Sequence, residues 1–154
     1  MIGGMLHRTY EGQVCSIARA LEVLGERWTL LIVRDAQLGV SRFADFQQSL
    51  GVARNILTER LNRLVEAGVL ERVEYQRRPP RFEYRLTAKG RELGVALVAL
   101  MQWGDRHLAD EAGPPRSARH RQCGGPVRAQ LVCQTCGTAA TGDDVQMVSR
   151  AAAP

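Results

Sequence analysis

The chain has 154 residues, of which 45% are apolar and 24% charged, and its formal net charge is +5. This length supports one hydrophobic core with a small appendage, and the composition excludes a chain that is disordered throughout. No apolar stretch is long enough to cross a bilayer, and the N-terminus lacks the layout of a signal peptide. We therefore expect a cytoplasmic protein without a membrane partner, whose basic balance favours a polyanionic one.

Three short helices are predicted in the first third of the chain. Apolar residues recur at helical spacing over 15–25, 26–39 and 41–51, and a glycine ends each segment. Ser16 and Ser41 are suited to the N-caps of the first and third helices, because a serine hydroxyl accepts hydrogen bonds from unpaired backbone N–H groups.

The segment 53–67 predicts the most clearly amphipathic helix of the chain. Its apolar residues form one arc at about 100° per residue, and they are Ile56, Leu57, Leu61 and Leu64. The opposite arc is polar. A polar arc on its own is typical of any solvated surface helix, so it indicates a function only together with its neighbours.

Two strands are predicted over 69–75 and 81–87, where apolar and polar residues alternate, and the prolines of the intervening QRRPP stretch predict a turn. The resulting hairpin has an arginine-rich tip. From residue 71 to 91, seven basic residues oppose three acidic ones, so this segment supplies most of the excess positive charge. Thr87 is suited to cap a long helix over 88–112.

The order of these elements predicts a winged helix-turn-helix, a fold that is α+β but mostly α. In this fold a short helix and a tight turn present the next helix to the DNA major groove, and a hairpin can lie along the phosphates. Arginine, asparagine and threonine on the presented helix are suited to guanine, adenine and thymine. The predicted contacts to double-stranded DNA are Arg42, Arg54, Asn55, Thr58, Asn62, Arg63, Arg77, Arg78 and Arg81.

Several motifs resemble the HxlR family of bacterial winged-helix transcription regulators, which are relatives of the MarR group. The resemblance covers about residues 15–108. Its motifs are a cysteine that opens the first helix, a Trp28-led second helix, Arg42-Phe43, Leu57-Thr58-x-Arg60-Leu61 and a Pro-Pro-Arg-aromatic-Glu-Tyr wing. One departure is Gly25-Glu26-Arg27-Trp28, where many members have Gly-Lys-Trp.

The resemblance implies a homodimeric regulator, with a repressor as the expected mode. Residues near 15–24 and 91–108, on N- and C-terminal dimerisation helices, would form the interface, and a two-fold dimer would read an inverted-repeat operator. A small aromatic or electrophilic effector is a further implication. Cys15 would then sense electrophiles or oxidants, because Arg19 and the first helical turn favour its thiolate. The alternative is that Cys15 is a small buried core residue.

The cysteine-rich tail follows a linker at 113–119. Its spacing, His120-x2-Cys123-x9-Cys133-x2-Cys136, contains two short-gap ligand pairs and resembles a zinc ribbon. We expect one structural zinc ion, because so short a segment cannot build an apolar core of its own. A redox dithiol formed by the last two cysteines and a tail without metal are the alternatives.

The predicted organisation has five parts and no internal repeat. They are a flexible N-terminus (1–13), a winged-helix DNA-binding and dimerisation domain (14–112), a linker (113–119), a zinc-ribbon-like tail (120–146) and a disordered C-terminus (147–154). The alternative to a DNA-binding regulator is a protein- or RNA-interaction module that uses the winged helix and the tail. An enzyme is not expected, because the sequence has no nucleophile–base pairing, phosphate-binding glycine loop or paired carboxylates.

Overall fold

The computed structural model of the chain describes Tyr10 and residues 12–148. Most of the predicted flexible N-terminus and disordered C-terminus lies outside the described residues. The elements are α1 (Ser16–Leu24), α2 (Thr29–Gln37), α3 (Phe43–Leu50), α4 (Arg54–Glu66), β1 (Leu70–Arg77), β2 (Pro80–Leu86), α5 (Ala88–His107), β3 (Leu131–Val132), β4 (Ala139–Ala140) and a short 3-10 helix (Gly142–Asp144). The chain divides within α5 into two compact units, one ending at Gly94 and the other beginning at Val95.

The order from α1 to α5 confirms the predicted winged helix-turn-helix and the mostly helical α+β class. Among the described residues, no helix has both the length and the apolar character that a membrane crossing requires. The domain boundaries predicted at 113–119 stay a prediction.

The core of the first unit lies between the inner faces of α2, α3 and α4 and the start of the hairpin. Its fully buried apolar side chains are Ile32, Val33, Phe46, Leu57, Leu61, Leu64 and Leu70. Three of these are leucines of the apolar arc predicted for α4, whereas Ile56 is only half-buried. Burial of one such side chain stabilises the fold by about 2 kcal/mol, so α4 is fixed by its inner face and its outer face remains free.

The two serines predicted as N-caps do not cap their helices. Ser16 is the first residue of α1, with Cys15 at the cap position, and α3 begins at Phe43 after Arg42. The N-cap prediction for Ser41 is wrong because the backbone of this residue pairs with the hairpin. Its carbonyl accepts a 2.7 Å hydrogen bond from the N–H of Tyr84 in β2.

α2 is shorter at its start than the predicted segment 26–39. Trp28 has φ 80°, a left-handed backbone conformation that cannot be part of a right-handed helix. The helix therefore begins at the next residue, Thr29. At the end of α3, Gly51 has φ 61° and forms the tight turn into α4. The prediction that this glycine closes the helix is confirmed, since a left-handed residue is the usual C-terminal stop.

The hairpin is longer than predicted and its turn is tighter. β1 and β2 are antiparallel, and their pairing runs from Leu70–Leu86 to Arg77–Pro80, so that only Arg78 and Pro79 connect the strands. Arg42 forms a further antiparallel bridge with Glu83 of β2. The residue before α3 therefore pairs with β2 at the edge of the sheet. This bridge connects the helix-turn-helix to the hairpin.

Thr87 caps α5 as predicted. Its hydroxyl accepts a hydrogen bond from the N–H of Gly90 at 3.1 Å and donates one to the carbonyl of Gly68 at 2.7 Å. Gly90 is buried, and a Cβ placed on it would lie 2.1 Å from the carbonyl oxygen of Val69. The start of α5 is therefore packed against Val69, the residue before β1, with no room for a side chain at this glycine.

Candidate nucleic-acid interface

The outer face of α4 carries exposed polar side chains that begin at its first residue. Arg54 is that residue, and its guanidinium lies 5.0 Å from the centre of the Phe43 ring at the start of α3. Asn55 and Asn62 are exposed on the same helix. The Thr58 hydroxyl donates to the Arg54 carbonyl at 2.9 Å, so the methyl group is the part of this side chain left for a partner. The N-terminal end of such a helix is the part that usually enters the groove.

Arg42 lies at the junction between the helix-turn-helix and the hairpin. Its backbone bridges Glu83 in β2, and its guanidinium stands 4.9 Å from the centre of the Tyr75 ring in β1. A cation above an aromatic face is held by the ring's quadrupole. The side chain is therefore oriented while its charge stays exposed.

The hairpin tip presents three exposed arginines, Arg77, Arg78 and Arg81. The Gln76 side chain donates hydrogen bonds to the carbonyls of Arg78 at 3.1 Å and Pro79 at 3.2 Å, which holds the turn. Within Tyr10 and residues 12–148, none of the three arginines forms an ion pair. Their positive charge is not neutralised by the part of the chain that the structure describes.

Arg63 differs from the rest of the predicted set because it already has an acidic neighbour. Its guanidinium lies 3.5 Å from a Glu26 carboxylate oxygen, and both side chains are nearly half exposed. An exposed pair of this kind is worth at most about 1 kcal/mol. Arg63 can therefore exchange its partner for a phosphate, but its free charge is smaller than that at the hairpin tip.

Arg60 has a structural role that the sequence reasoning missed. It is buried, pairs with Glu26 and Glu59 at 2.9 Å each, and donates from Nε to the Arg27 carbonyl at 3.3 Å. The signal was available, since Arg60 lies three residues after Leu57 and four before Leu64 and so shares their inner face. It joins α4 to the segment between α1 and α2 rather than facing outward.

All nine residues of the predicted DNA-contacting set are exposed. They lie on elements that the α3–α4 turn and the Arg42–Glu83 bridge hold together. Which of them touch bases and which touch phosphates stays a prediction.

Comparison with protein families matches residues 23–112 to the HxlR-like helix-turn-helix model, which is more than half of the chain. The chain belongs to the HxlR family. An uncharacterized HTH-type transcriptional regulator of Mycobacterium bovis is 47% identical over 144 residues, covering 94% of this chain and 89% of its own length. An uncharacterized HTH-type transcriptional regulator of Mycobacterium tuberculosis gives the same identity and coverage.

Solved structures place this HxlR protein among transcription factors of known fold. The crystal structure of PA1607, named as a candidate transcription factor, superposes with a TM-score of 0.79 at 42% identity, covering 90% of this chain and 96% of that one. The reduced form of the redox regulator HypR superposes with a TM-score of 0.57 at 28% identity, covering 60% and 92%. This HxlR protein is a transcriptional regulator, and its named relatives are regulators rather than enzymes, which confirms the prediction that it is not an enzyme.

Cys15 of this HxlR protein is exposed and precedes α1. Hydrogen bonds from the backbone N–H groups of Ala18 and then Ile17 lower the pKa of its thiol below the usual range. The alternative that Cys15 is a buried core residue of the single chain is therefore wrong. The N-terminus of α1 favours its thiolate. Its predicted sensing role stays a prediction.

The four predicted metal ligands lie in the second unit as two pairs. His120 Nδ1 and Cys123 Sγ are 3.2 Å apart, and Cys133 lies three residues before Cys136 in the second pair. The Thr138 hydroxyl, followed by the Thr138 backbone and Cys133, lowers the pKa of Cys136 to about 7. Among the described residues, no three His, Cys, Asp or Glu side chains are grouped as a metal site. The predicted zinc ion and its four ligands stay a prediction.

Proposed function

We propose that this regulator binds duplex DNA as a homodimer and represses transcription from an inverted-repeat operator. In each protomer, α4 enters the major groove and the hairpin tip lies along the phosphates. The observation that carries the proposal is a set of five exposed arginines without an acidic partner among the described residues, namely Arg42, Arg54, Arg77, Arg78 and Arg81. Arginines free of carboxylates are available to phosphate oxygens and guanine edges.

The two elements take different parts in this binding. Arg54 begins α4 beside exposed Asn55 and Thr58, so it is placed to read base edges. Arg78 occupies the two-residue turn of the hairpin, where it has phosphates rather than bases as its natural partners. The first contact gives sequence preference, and the second gives affinity that is similar for every sequence.

Exposed apolar side chains on α1 and α5 support the homodimer. On α1, Ile17 is 55% exposed, and on α5, Val95, Leu100 and Trp103 are 74%, 52% and 49% exposed. Each helix thus carries apolar surface that the single chain leaves in water, which is typical of an interface. A two-fold dimer carries two α4 helices, which fits an operator with half-sites about one helical turn apart.

Selection of bound duplexes from a random library tests the DNA part of the proposal. Wild-type protein should enrich an inverted repeat. Arg54→Ala should change the preferred half-site, whereas Arg78→Ala should keep the same motif and weaken binding to every sequence. Arg116→Ala, which removes the same charge from an exposed site in the other unit, is the matched control and should leave the motif and the affinity unchanged. Absence of any enriched motif for the wild type contradicts sequence-specific binding.

Sedimentation equilibrium tests the dimer. Leu100→Glu places a charge on the exposed apolar face of α5 and should shift the protein to monomers. Leu38→Glu introduces the same charge at a site that is 56% exposed at the end of α2, and it should leave the dimer intact. A wild-type protein that stays monomeric at micromolar concentration rules out the homodimer. A reporter gene under the selected operator then separates repression from activation.

We also propose that Cys15 makes DNA binding responsive to oxidants or electrophiles. Its exposure and lowered thiol pKa support this role, and the structural relative HypR is named as a redox regulator. Mild diamide treatment followed by intact-mass analysis and DNA titration is the test. The affinity of the wild type should change and that of Cys15→Ser should not; equal responses of both proteins contradict the proposal.

A further inference from the structure

The C-terminal tail contains the same backbone turn twice, at 120–125 and at 133–138. In the first turn, the N–H of His120 donates to the carbonyl of Gly125 at 2.8 Å, and the N–H of Gly124 donates to the carbonyl of His120 at 2.8 Å. In the second turn, the N–H of Cys133 donates to Thr138 at 2.9 Å, and the N–H of Gly137 donates back to Cys133 at 2.9 Å. These turns coincide with the two short-gap ligand pairs that the sequence predicted.

The similarity extends to the glycines and to the flanking pairs. Gly124 has φ 69° and Gly137 has φ 71°, a left-handed conformation that a side chain would disfavour. An antiparallel bridge between Arg119 and Pro126 closes the first turn, as the pairing of Val132 with Ala139 closes the second. Each turn is therefore the tip of a small hairpin with the same geometry.

Equivalent positions of the two turns carry the side chains suited to a metal. His120 corresponds to Cys133, and Cys123 corresponds to Cys136. In the first turn the ring nitrogen and the sulfur are already 3.2 Å apart. Each turn thus supplies a pair of ligands from its first and fourth residues, which is the usual spacing in structural zinc sites.

The tail also has no apolar core of its own. From residue 113 to 148 no side chain is buried, and its larger apolar residues, Val127, Leu131, Val132, Val145, Met147 and Val148, are all exposed. One anchor exists on α5, where Gln102 donates to the Val127 carbonyl at 2.7 Å and accepts from the Ala129 N–H at 2.9 Å. This anchor holds the connection between the two turns but neither turn itself.

We propose that His120, Cys123, Cys133 and Cys136 bind one structural zinc ion, with two ligands from each turn. Three thiolates and one imidazole are a ligand set that favours zinc, and four protein ligands leave no open position for catalysis. The described side chains form two pairs, and the ligand atoms must come within about 2.0–2.3 Å of the ion. Zinc binding therefore draws the two turns together and orders the tail, beyond the DNA-binding function proposed above.

Elemental analysis of full-length protein, purified without a histidine tag or chelator, is the first test. Wild type and Cys15→Ser should each hold about one zinc per chain, whereas Cys123→Ser and Cys136→Ser should not retain it. After removal of zinc, Co²⁺ should give the visible absorption of a tetrahedral thiolate site in the first two proteins only. Less than about half an equivalent of zinc in the wild type, or full retention by Cys136→Ser, overturns the site.

A second measurement needs no variant and so does not depend on how a variant folds. Alkylation followed by intact-mass analysis should modify only Cys15 in the zinc-loaded protein and all four cysteines after chelation. Limited proteolysis should cut the tail faster after chelation. Four reactive thiols before chelation, or a Cys133–Cys136 disulfide in protein isolated under reducing conditions, overturns the zinc site. These readouts do not involve DNA, so their failure leaves the proposed regulator function standing.

Discussion

Replacing the three arginines of the hairpin tip by alanine should reduce the salt dependence of DNA binding. Arg77, Arg78 and Arg81 are exposed, and none forms an ion pair within the described chain. Each is therefore free to neutralise one phosphate and release the counterion held there. Arg85 also lies on the hairpin, but it already pairs with Glu83, so we do not count it.

The magnitude follows from the number of free charges. Each phosphate neutralised contributes about 0.9 to the slope of log affinity against log salt concentration. Three contacts therefore contribute about 2.7 for every hairpin bound. When the salt concentration doubles, the dissociation constant of the wild type should rise about sixfold more than that of the variant for each hairpin bound. The difference in affinity between the two proteins therefore becomes smaller at high salt.

Fluorescence anisotropy across a salt series, with the selected operator and a scrambled duplex, measures this slope. The slope should fall by a similar amount on both duplexes, because phosphate contacts carry no direct sequence information. The double variant Arg116→Ala/Arg128→Ala removes exposed charge from the other unit and should leave the slope unchanged. A fall of less than about one unit in the triple variant refutes the assignment of the hairpin tip to the phosphates.

Three further predictions concern stability and reactivity. Gly90→Ala should lower the free energy of unfolding by about 2 kcal/mol or more, because its Cβ meets a backbone oxygen at 2.1 Å. The control Gly104→Ala, in the same helix but with open space around the new Cβ, should be neutral or stabilising by up to about 1 kcal/mol. Equal effects of the two substitutions in thermal unfolding contradict the packing argument. Arg60→Ala should cost about 2 kcal/mol and Arg63→Ala less than about 1, since only the first is buried, and urea titration compares them. Cys15 should react with iodoacetamide faster in the folded than in the unfolded chain near neutral pH, because a lowered pKa increases the thiolate fraction, and this excess should decline as the pH is raised towards the usual thiol pKa. Equal rates in both states speak against the helix N-terminus as the cause.

Much of the first unit could be predicted because its local signals agree with its packing. Alternating and helical patterns gave the order of helices and strands, and the leucines of α4 are buried as their spacing indicates. Gly51 and Thr87 close and cap helices as their chemistry predicts. At these positions the local preference of the chain and the demands of the core require the same conformation.

One failed prediction, at Ser41, and one role that was missed, at Arg60, concern residues whose partners are distant in sequence. Ser41 is a good N-cap by local chemistry, but pairing with Tyr84 draws its backbone into the sheet. Arginine is usually found at the surface. The burial of Arg60 is favourable because its guanidinium is paired with Glu26 and hydrogen-bonded to the carbonyl of Arg27. Helical spacing places Arg60 on the inner face of α4, but local propensity cannot anticipate the partners of either residue, because they lie more than thirty residues away along the chain.

The two turns of the tail have the same backbone geometry although their sequences differ. The two segments, HRQCGG and CQTCGT, share only a cysteine and the glycine after it. The turn needs little more than this, because a left-handed glycine and two short hydrogen bonds define its backbone. A metal requirement constrains only the first and fourth positions, where histidine and cysteine are interchangeable as ligands. His120→Cys should therefore preserve zinc binding, whereas His120→Ala should weaken it, and a Co²⁺ titration of the two variants distinguishes a ligand from a residue that only shapes the turn.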